Sequence, residues 1–425
     1  MRVFLVGSGG REHALAWRIA ESPACTRLVV APGNPGIARE PKVTCLPIAA
    51  DAIGELVAAA VAERADLVVC GPEVALCAGL GDAMRAAGLS FFGPSRAAAE
   101  IEGSKAFAKR LMADAGVPTA AFGVFDDLGE AEAFIDAQPG NVVVKADGLA
   151  AGKGVVVAGD KDEAKQAARQ MLQGGAFGAA GARVVIEERL TGREVSLMAI
   201  CDGRRLALLP SSEDHKAVGD GDQGPNTGGM GTYSPSPLVS AALEARALKT
   251  LFVPVVNALA AAGRPFQGVL YGGLMLTPDR GPMVIEWNCR FGDPETQSVL
   301  MRLDEDLLPW LASAATGSMP PGAPRARPGV ATCVVLAAPN YPASPRLGGA
   351  ITGLPAPAGD LRVFHAGTRR DGDKLVTAGG RVLGVTAHGA NLDAARARAY
   401  GAIEKIHFDG MHFRRDIGLR GSKSA

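Results

Sequence analysis

Short apolar runs that end in glycine- and proline-rich loops recur through the first hundred residues of this chain. Helical stretches separate four such runs: Val3–Val6 before Gly7–Gly10, Leu28–Ala31 before Pro32–Asn34, Asp66–Cys70 before Gly71–Glu73, and Leu89–Phe92 before Gly93–Ser95. This alternation is typical of βαβ units that build a parallel sheet. Ligands of such sheets bind at the carboxyl ends of the strands, which is where these loops fall.

The composition favours a protein that works on small molecules. Its 425 residues are enough for roughly two to four domains. The 44 basic and 44 acidic residues balance, so the charge does not favour nucleic acid or an anionic membrane as partner. The seven cysteines show no C-x-x-C spacing, no apolar run is long enough for a bilayer, and the first residues do not resemble a signal peptide. We expect a cytoplasmic monomer with small acidic or phosphorylated ligands.

The pattern changes after a helix predicted at about Lys105–Ala115. Antiparallel strands are predicted at Asn141–Asp147, Gly154–Ala158, Arg183–Glu188, Glu194–Cys201, Gly268–Leu276 and Met283–Asn288. Thr191-Gly192 and Asp202-Gly203 have the composition of hairpin turns. The Pro- and Gly-rich stretch Thr316–Gly329 predicts a linker. The last section is expected to contain strands at Val330–Ala338 and Arg381–Ala387 and a helix at Asn391–His407.

The first glycine-rich loop joins the first predicted strand to the first predicted helix. A dinucleotide fingerprint would need glycine where Glu12 stands and an acidic residue at the end of the second strand, where Asn34 stands. A dinucleotide oxidoreductase is therefore disfavoured. The backbone N–H groups of Gly9 and Gly10 and the side chain of Arg11 still suit the phosphate of another ligand. The alternative is a tight turn with a solvated arginine.

The predicted strand that contains Lys145 leads into a glycine-rich strap. Gly148, Gly152 and Gly154 make this strap pliable, and Lys153 places a cation within it. It is not a Walker loop, because glycine follows Lys153 and a strand comes next instead of a helix. We expect a lid that closes over the phosphates of ATP, with Lys145 facing a phosphate from a buried position. An ordinary hairpin turn is the alternative.

Polar residues alternate along the segment that begins at Val284. Glu286, Asn288 and Arg290 would lie on one face of a strand. Carboxylate and amide oxygens two residues apart suit a hard cation such as Mg²⁺, and arginine can bind a carboxylate or phosphate through two donors. Asp293 and Glu295 follow in a turn. A solvated polar face is the alternative.

Two weaker features complete the candidate site. Of the neighbouring Glu187 and Glu188, at most one can face a given site, because consecutive strand residues point to opposite sides. Such a strand end can bind an adenine edge, and a nearby carboxylate such as Glu194 can accept ribose hydroxyls. In the loop Asp214–Lys216 the lysine is the preferred anion contact, and the histidine is an alternative general base.

Ten motifs run nearly the full length of the chain. In order they are GSGGREHALAW, APGNPG, GPE, FFGPS followed by EGSK, KADGLAAGKGVVV, EDHK, GPNTGGMGTYSP, EWNCRFGDPETQ, VFHAGT and TAGGRVL. Through these motifs, in this order, the chain resembles the phosphoribosylamine–glycine ligase family of the ATP-grasp superfamily.

The resemblance implies a combined α/β and α+β enzyme. Residues 1–104 would form a Rossmann-like, parallel-sheet domain that binds phosphoribosylamine, and residues 105–316 an ATP-grasp domain of two α+β subdomains, with its lid at about 120–192. A linker at 317–329 and a small α+β domain at 330–425 would follow. The implied reaction joins glycine to 5-phospho-β-D-ribosylamine through glycyl phosphate, releasing ADP and phosphate, as the second step of de novo purine biosynthesis.

The expected site residues fall into four groups. ATP contacts are implied at Lys105, Lys145, Gly148, Gly152, Lys153, Gly154, Glu187, Leu190 and Glu194. Ligands of magnesium, or manganese, are implied at Glu286 and Asn288. Substrate contacts are expected at Gly9, Gly10, Arg11, Glu12, Asn34, Glu73, Asp214, Lys216, Arg290, Asp293 and Glu295. Catalytic roles are expected for Arg290, Lys153 and Glu286.

One position departs from the wider superfamily. Many ATP-grasp enzymes carry another acidic metal ligand on the strand that faces the Glu-x-Asn strand, and the expected position here holds Met275. Two other functions stay open. One is an ATP-grasp carboxylate–amine ligase with different substrates, and the other is a non-catalytic nucleotide-binding module. Glu286, Asn288 and Arg290 argue against the second.

Overall fold

The computed structural model describes residues 1–149, 154–174 and 181–419. Gly152 and Lys153, both expected to contact ATP, lie outside these residues. Four sheets of four or five strands organise the described chain. They comprise one parallel and three antiparallel sheets, so the predicted combination of α/β and α+β is confirmed.

The first sheet is the predicted parallel sheet. Its strands and the surrounding helices are β1 (Arg2–Gly7), α1 (Gly10–Glu21), β2 (Arg27–Pro32), β3 (Val43–Cys45), α2 (Ile53–Ala62), β4 (Leu67–Cys70), α3 (Glu73–Cys77), α4 (Leu80–Ala86), β5 (Phe91–Phe92) and α5 (Arg96–Gly103). The strand order is β3-β2-β1-β4-β5, with every pair parallel. The β5 strand is shorter than predicted because the Leu89 N–H donates to the Met84 carbonyl oxygen at 3.0 Å, at the end of α4.

The second sheet, called the lid sheet, has its own core. It follows α6 (Lys105–Asp114) and contains β6 (Phe122–Phe125), α7 (Leu128–Ala137), β7 (Val142–Ala146), β8 (Val155–Val157), α8 (Lys161–Gln173) and β9 (Val184–Glu188). The strand order is β6-β9-β7-β8, all antiparallel. The apolar faces of α7 and α8 pack on it, and their cluster is separate from the other cores.

The third sheet, called the central sheet, holds the longest strands. Its section of the chain contains β10 (Arg193–Asp202), β11 (Leu206–Leu208), β12 (Glu213–Asp214), β13 (Ala217–Gly219), β14 (Gln223–Asn226), β15 (Gly231–Ser234), α9 (Ala241–Ala247), α10 (Val253–Ala261), β16 (Gln267–Thr277), β17 (Gly281–Asn288), α11 (Glu295–Arg302) and α12 (Leu307–Ala315). The sheet order is β11-β10-β16-β17. The predicted hairpin of β16 and β17 and the turn at Asp202-Gly203 are confirmed.

The expected hairpin turn at Thr191-Gly192 is wrong. Strand β9 is already paired on both sides, with β6 and β7, so it has no free edge for β10. Strand β10 pairs instead with β16 over ten residues of the central sheet. The Thr191-Gly192 segment therefore connects the lid sheet to the central sheet.

The last sheet is built from two distant parts of the chain. Its C-terminal section contains β18 (Val330–Ala337), β19 (Leu361–His365), β20 (Thr368–Asp371), β21 (Lys374–Thr377), β22 (Arg381–Gly389) and α13 (Leu392–Ile403). The order β12-β15-β18-β22-β19 brings in two strands from the middle of the chain. The α13 helix ends before the predicted His407, because that residue's N–H donates to the Thr352 carbonyl oxygen at 3.1 Å.

One apolar core joins the first sheet to the central sheet. Phe4 and Phe91 of the first sheet belong to the same buried cluster as Leu270 and Trp287 of β16 and β17. This packing brings the C-terminal end of β17 towards the loops that follow β1 and β4. The segment predicted as a linker is anchored to the end of β10, since the Met319 N–H donates to Asp202 Oδ2 at 3.1 Å.

Candidate functional site

The loop after β1 is held by the side chain of Glu12. One carboxylate oxygen accepts a hydrogen bond from the Gly9 N–H at 2.6 Å, and the other lies 2.5 Å from Arg11 Nε. A Cβ atom at Gly71 would lie 1.8 Å from this carboxylate, and one at Gly7 would lie 2.3 Å from Glu12 Cγ. Glu12 therefore fills the space beside these glycines and caps α1, a structural role that a dinucleotide fingerprint would not require.

Arg11 points out of α1 towards the segment that follows β17. Its Nη1 donates to the Phe291 carbonyl oxygen at 3.1 Å and lies 3.8 Å from Glu73 Oε2. Arg11 is only 7% exposed. The predicted cation of the first loop thus lies between the first sheet and the end of β17.

Asn34 organises the neighbouring loop. Its Oδ1 accepts hydrogen bonds from the N–H groups of Gly36 and Ile37, both at 2.9 Å. Its Nδ2 donates to the carbonyl oxygens of Ser8 at 2.8 Å and His365 at 2.9 Å. The side chain expected to contact substrate therefore ties the first glycine-rich loop to the last sheet.

Asp293 faces the beginning of α1. A Cβ atom at Gly9 would lie 3.4 Å from Asp293 Oδ2. Gln297 Nε2 donates to Asp293 Oδ1 at 2.8 Å, and Arg381 Nη2 lies 3.3 Å from Oδ2. Burial alone would raise the pKa of Asp293, but Arg381 and Arg11 lower it below its usual range. Arg381 was not among the predicted site residues, and its only signal was its place in the TAGGRVL motif.

Arg290 lies two residues beyond the end of β17 and joins several expected site residues. Its Nη2 lies 3.0 Å from both Glu102 Oε1 and Asn288 Oδ1, and its Nε lies 3.4 Å from Glu73 Oε2. The second oxygen of Glu102 accepts a hydrogen bond from the Cys289 N–H at 2.7 Å. Glu102 was missed as a site residue, although it begins the EGSK motif. It fixes the backbone between Asn288 and Arg290.

Glu286 is a partly buried carboxylate surrounded by cations. Burial would raise its pKa, but Lys216, Lys145, Lys105 and Arg290 lower it below its usual range. The group is therefore ionised at neutral pH. One ionised carboxylate with the amide oxygen of Asn288 on the same strand face suits magnesium that is held mainly by nucleotide phosphates and water.

Met275 does not lie directly opposite Glu286. Met275 pairs with Met283, and the residue opposite Glu286 is Gly273. The register shifts between Gly273 and Leu274, which moves the pairing from its expected position. Within residues 1–149, 154–174 and 181–419, no group of three or more His, Cys, Asp or Glu side chains could hold a metal ion. The candidate metal ligands thus stay Glu286 and Asn288.

A pocket lies beside Glu286 on the central sheet. It is lined by Glu194, Val195, Ser196, Asp214, Lys216, Tyr271, Gly273, Leu274, Ile285 and Glu286. Lys216 Nζ lies 3.5 Å from Asp214 Oδ2. Burial raises the pKa of Asp214 to about 7, against the opposing effect of Lys216. The hydroxyl of Tyr271 donates to Glu295 Oε1 at 3.0 Å, which places Glu295 at the wall of this pocket.

His215 points away from this pocket. Its Nδ1 lies 3.2 Å from the Gly231 carbonyl oxygen, and its Nε2 accepts a hydrogen bond from the Gly418 N–H at 3.3 Å. The ring also lies against Tyr233 and is 1% exposed. These contacts give it a structural role between β15 and the C-terminal segment, so the alternative of a general base is wrong.

Lys105 and Lys145, two of the lysines expected to contact ATP, lie where the lid sheet meets the central sheet. Lys105 Nζ donates to the Gly148 carbonyl oxygen at 3.0 Å. Lys145 Nζ lies 2.8 Å from Glu187 Oε1 and donates to the Ile285 carbonyl oxygen at 3.2 Å. Glu187 is 3% exposed. The strap therefore begins close to the end of the strand that carries Glu286.

Glu188 lies on the other face of β9. It forms an ion pair with Arg280 at 2.8 Å and accepts a hydrogen bond from the Ala121 N–H at 3.0 Å. Of the two neighbouring glutamates, Glu187 is the one that faces the lysines. Leu190 follows in the connection to Glu194, which lies in the pocket beside Glu286.

Asp147 anchors the described beginning of the strap. Its Oδ1 accepts hydrogen bonds from the Ala106 N–H at 2.7 Å and the Ser104 hydroxyl at 2.9 Å, and its Oδ2 lies 2.9 Å from Arg183 Nε. At the other end, the Gly154 carbonyl oxygen accepts a hydrogen bond from the Ala146 N–H at 2.8 Å. Sequence reasoning missed Asp147, because its partners lie far from it in the chain.

The described helices include none that is both long and apolar enough to cross a membrane. All seven cysteines are free thiols.

Three family profiles match the chain in succession. They are described as phosphoribosylglycinamide synthetase N domain at residues 1–102, ATP-grasp (A) domain at 103–296, and C domain at 331–420. The phosphoribosylamine–glycine ligase of Caulobacter vibrioides is 54% identical over 423 residues, which cover 99% of this chain and 98% of that protein.

Two solved structures illustrate the fold. The crystal structure of phosphoribosylamine–glycine ligase from Thermotoga maritima has a TM-score of 0.85 and 34% identity, covering 98% of this chain and 100% of that one. The biotin carboxylase domain of Hydrogenobacter thermophilus 2-oxoglutarate carboxylase, in complex with MgADP, ADP and bicarbonate, has a TM-score of 0.75 and 19% identity, covering 97% and 91%. The second likeness concerns the fold alone.

The full-length identity, the three profiles in order and the site at the end of β17 confirm the resemblance drawn from the motifs: the chain belongs to the phosphoribosylglycinamide synthetase family of ATP-grasp ligases.

Proposed function

We propose that the chain joins glycine to 5-phospho-β-D-ribosylamine with the energy of ATP, forming N1-(5-phospho-β-D-ribosyl)glycinamide, ADP and phosphate in purine biosynthesis. The observation that carries the proposal is the position of Glu286, Asn288 and Arg290. These residues lie between a group of lysines on one side and Arg11 on the other; the lysines are Lys105, Lys145 and Lys216. One site thus borders two separate cationic regions, as a ligase for a nucleotide and a second phosphorylated substrate requires.

The nucleotide would lie between the lid sheet and the central sheet. We assign the contacts with its phosphates to Lys105, Lys145 and the strap. The contacts with adenine and ribose are assigned to Glu187, Leu190 and Glu194. Magnesium, when bound with the nucleotide at Glu286 and Asn288, neutralises charge on the phosphates. The match of residues 103–296 to the ATP-grasp (A) domain profile supports this use of the fold.

The first chemical step would transfer the γ-phosphoryl group to glycine. A glycine carboxylate oxygen attacks the γ-phosphorus, the bond to the bridging oxygen of ADP breaks, and glycyl phosphate forms. This chain contributes mainly by positioning and by placing cations where charge develops. Arg290 and Lys216 are our candidates for binding the carboxylate. Lys153, which lies outside the described residues, is our candidate for the phosphoryl group because of its position in the strap sequence.

The second step would form the amide bond. The amine of the sugar attacks the acyl carbon, phosphate leaves, and the amine loses a proton. Arg290 is our candidate for holding the oxyanion that develops at the acyl oxygen. A closed strap would keep water from the acyl phosphate.

The sugar phosphate would bind at the beginning of α1. The positive end of the α1 dipole and the Arg11 guanidinium favour an anion there. The Gly9 N–H already donates to Glu12, so the anion would rely on the other donors of this terminus. The carboxylate of Asp293 faces the same loop and suits the amine or hydroxyl groups of the ribosylamine. Glu73, between Arg11 and Arg290, borders both parts of this region.

Identification of the product tests this proposal. With isotopically labelled glycine, mass spectrometry should find the label in an amide whose mass is that of glycinamide ribonucleotide. Another amide product, formed with a different amine or acid, would instead support an ATP-grasp ligase with different substrates.

A further inference from the structure

Lys109 is a buried cation that no predicted role explains. It lies in α6, one turn after Lys105, and is 2% exposed. Lysines are rarely buried to this extent without a charged partner, because removal of the ammonium group from water is costly. Burial accordingly lowers the pKa of Lys109 to about 8, although Glu187 opposes this effect.

Lys109 contacts both the lid sheet and, through Thr119, the central sheet. Its Nζ lies 2.8 Å from Glu187 Oε2 and donates to Thr119 Oγ1 at 2.7 Å. The Thr119 hydroxyl in turn donates to the Val284 carbonyl oxygen at 2.7 Å. The ammonium group also lies 5.8 Å from the centre of the Phe122 ring. These contacts fix the ammonium group from several sides.

Glu187 therefore has two buried lysine partners, one at each oxygen. Lys109 lies at Oε2 and Lys145 at Oε1, both at 2.8 Å. Although Oε1 is close to Lys145, it accepts no aligned hydrogen bond within the described part of the chain. Loss of the Lys145 contact would therefore still leave Lys109 paired with the other oxygen of Glu187.

Lys109 keeps Glu187 paired with a cation when Lys145 contacts a nucleotide. Under the proposed function, Lys145 contacts an ATP phosphate. If Lys145 were the sole counter-ion of Glu187, its movement to a phosphate would leave a buried carboxylate unpaired, which is strongly unfavourable. We propose that Lys109 is the permanent counter-ion of Glu187 and that it frees Lys145 to move from Glu187 to the nucleotide phosphate. Lys109 is then a positioning residue, because it acts through Glu187 and Lys145.

A double-mutant cycle on nucleotide binding tests this inference, which rests on the proposed ATP site. Calorimetry would measure binding of a non-hydrolysable ATP analogue with Mg²⁺ to wild type, Lys109→Met, Glu187→Gln and the double variant. Lys109→Met should weaken binding by about tenfold or more, because Lys145 is then held at Glu187. In the Glu187→Gln background the same substitution should change binding by about twofold or less.

Three further measurements separate this role from damage to the pocket. Lys109→Met should weaken binding of the ATP analogue but not of adenosine, because the exchanged contact is to a phosphate. Lys109→Arg should restore most of the affinity, since it keeps the charge. Lys165→Met removes a lysine that pairs with Asp136 on the surface of α8 and should have no effect. Thermal unfolding would verify that each variant is folded.

The inference would be overturned if Lys109→Met weakened binding equally in the wild-type and Glu187→Gln backgrounds. It would also be overturned if the substitution weakened binding of adenosine and of the ATP analogue equally. If Lys109→Met does not fold, the double variant still tests the inference. A large loss of affinity for the ATP analogue in the double variant, relative to Glu187→Gln alone, would contradict the proposed role. A wild-type chain that binds no ATP analogue would instead contradict the proposed function itself.

Discussion

Arg381 of the last sheet forms an ion pair with Asp293 in the loop after β17. Arg381 Nη2 lies 3.3 Å from Asp293 Oδ2, and Nη1 donates to the Asp293 carbonyl oxygen at 2.7 Å. Arg381 Nη1 also donates to the carbonyl oxygen of Gly228 in the glycine-rich loop. A single side chain thus ties the last sheet to two loops of the candidate site.

Replacement of Arg381 should therefore impair the sugar substrate more than the nucleotide. We expect Arg381→Met to raise KM for phosphoribosylamine by about tenfold or more, because Asp293 loses its main cation and can reorient. KM for ATP should change by less than about threefold. Arg369→Met is the matched control, since Arg369 lies on the exposed β20 strand of the same section. A larger effect on ATP than on phosphoribosylamine would contradict this role.

Arg11 should act on the same substrate from the opposite side. Arg11→Ala removes the cation at the beginning of α1 and should raise KM for phosphoribosylamine markedly, with little change for ATP and glycine. Three saturation curves on the variant provide the test. If KM for ATP changes and KM for phosphoribosylamine does not, the roles assigned to the two cationic regions are reversed.

Glu286 should be essential for turnover but not for folding. Glu286→Gln keeps the shape of the side chain and removes the charge that four cations surround. We expect turnover to be lost, because a charged metal ligand contributes several kcal/mol to the transition state. Circular dichroism and thermal unfolding should stay close to wild type. Turnover within about threefold of wild type at ordinary magnesium would rule out the assignment.

The free energy of unfolding should fall at low pH, because folding keeps His365 unprotonated. Burial lowers the pKa of His365 to about 3, and His13, Arg39 and Arg370 also disfavour its charge. The unfolded chain therefore binds a proton that the folded chain excludes between about pH 6.5 and 3. The free energy of unfolding therefore decreases by up to about 1.4 kcal/mol per pH unit as the pH falls through this window. His365→Asn should reduce this slope in urea unfolding; an unchanged slope would contradict the prediction.

The sequence predicts well what depends on local pattern. The apolar runs before glycine-rich loops identify β1, β2 and β4, and the alternation of polar residues identifies the end of β17 as a candidate site. Where pairing depends on distant strands, local pattern fails. The composition of Thr191-Gly192 suits a hairpin, yet both edges of β9 are occupied by β6 and β7.

Residues that act through tertiary contacts were missed for the same reason. Glu102 meets Cys289 and Arg290 across 187 and 188 positions of the chain, and Lys109 meets Glu187 only because β9 packs beside α6. The pairing of Glu286 with Gly273 depends on a register shift between Gly273 and Leu274, which the sequence of the two strands does not show.

The most direct test of the central claim is ADP release with each co-substrate omitted in turn. Sustained ADP release is expected only when ATP, magnesium, glycine and phosphoribosylamine are all present, with one amide formed for each ADP. Omission of phosphoribosylamine should stop turnover after the glycyl phosphate is made. Sustained ADP release at an undiminished rate without glycine, or without phosphoribosylamine, would contradict the account.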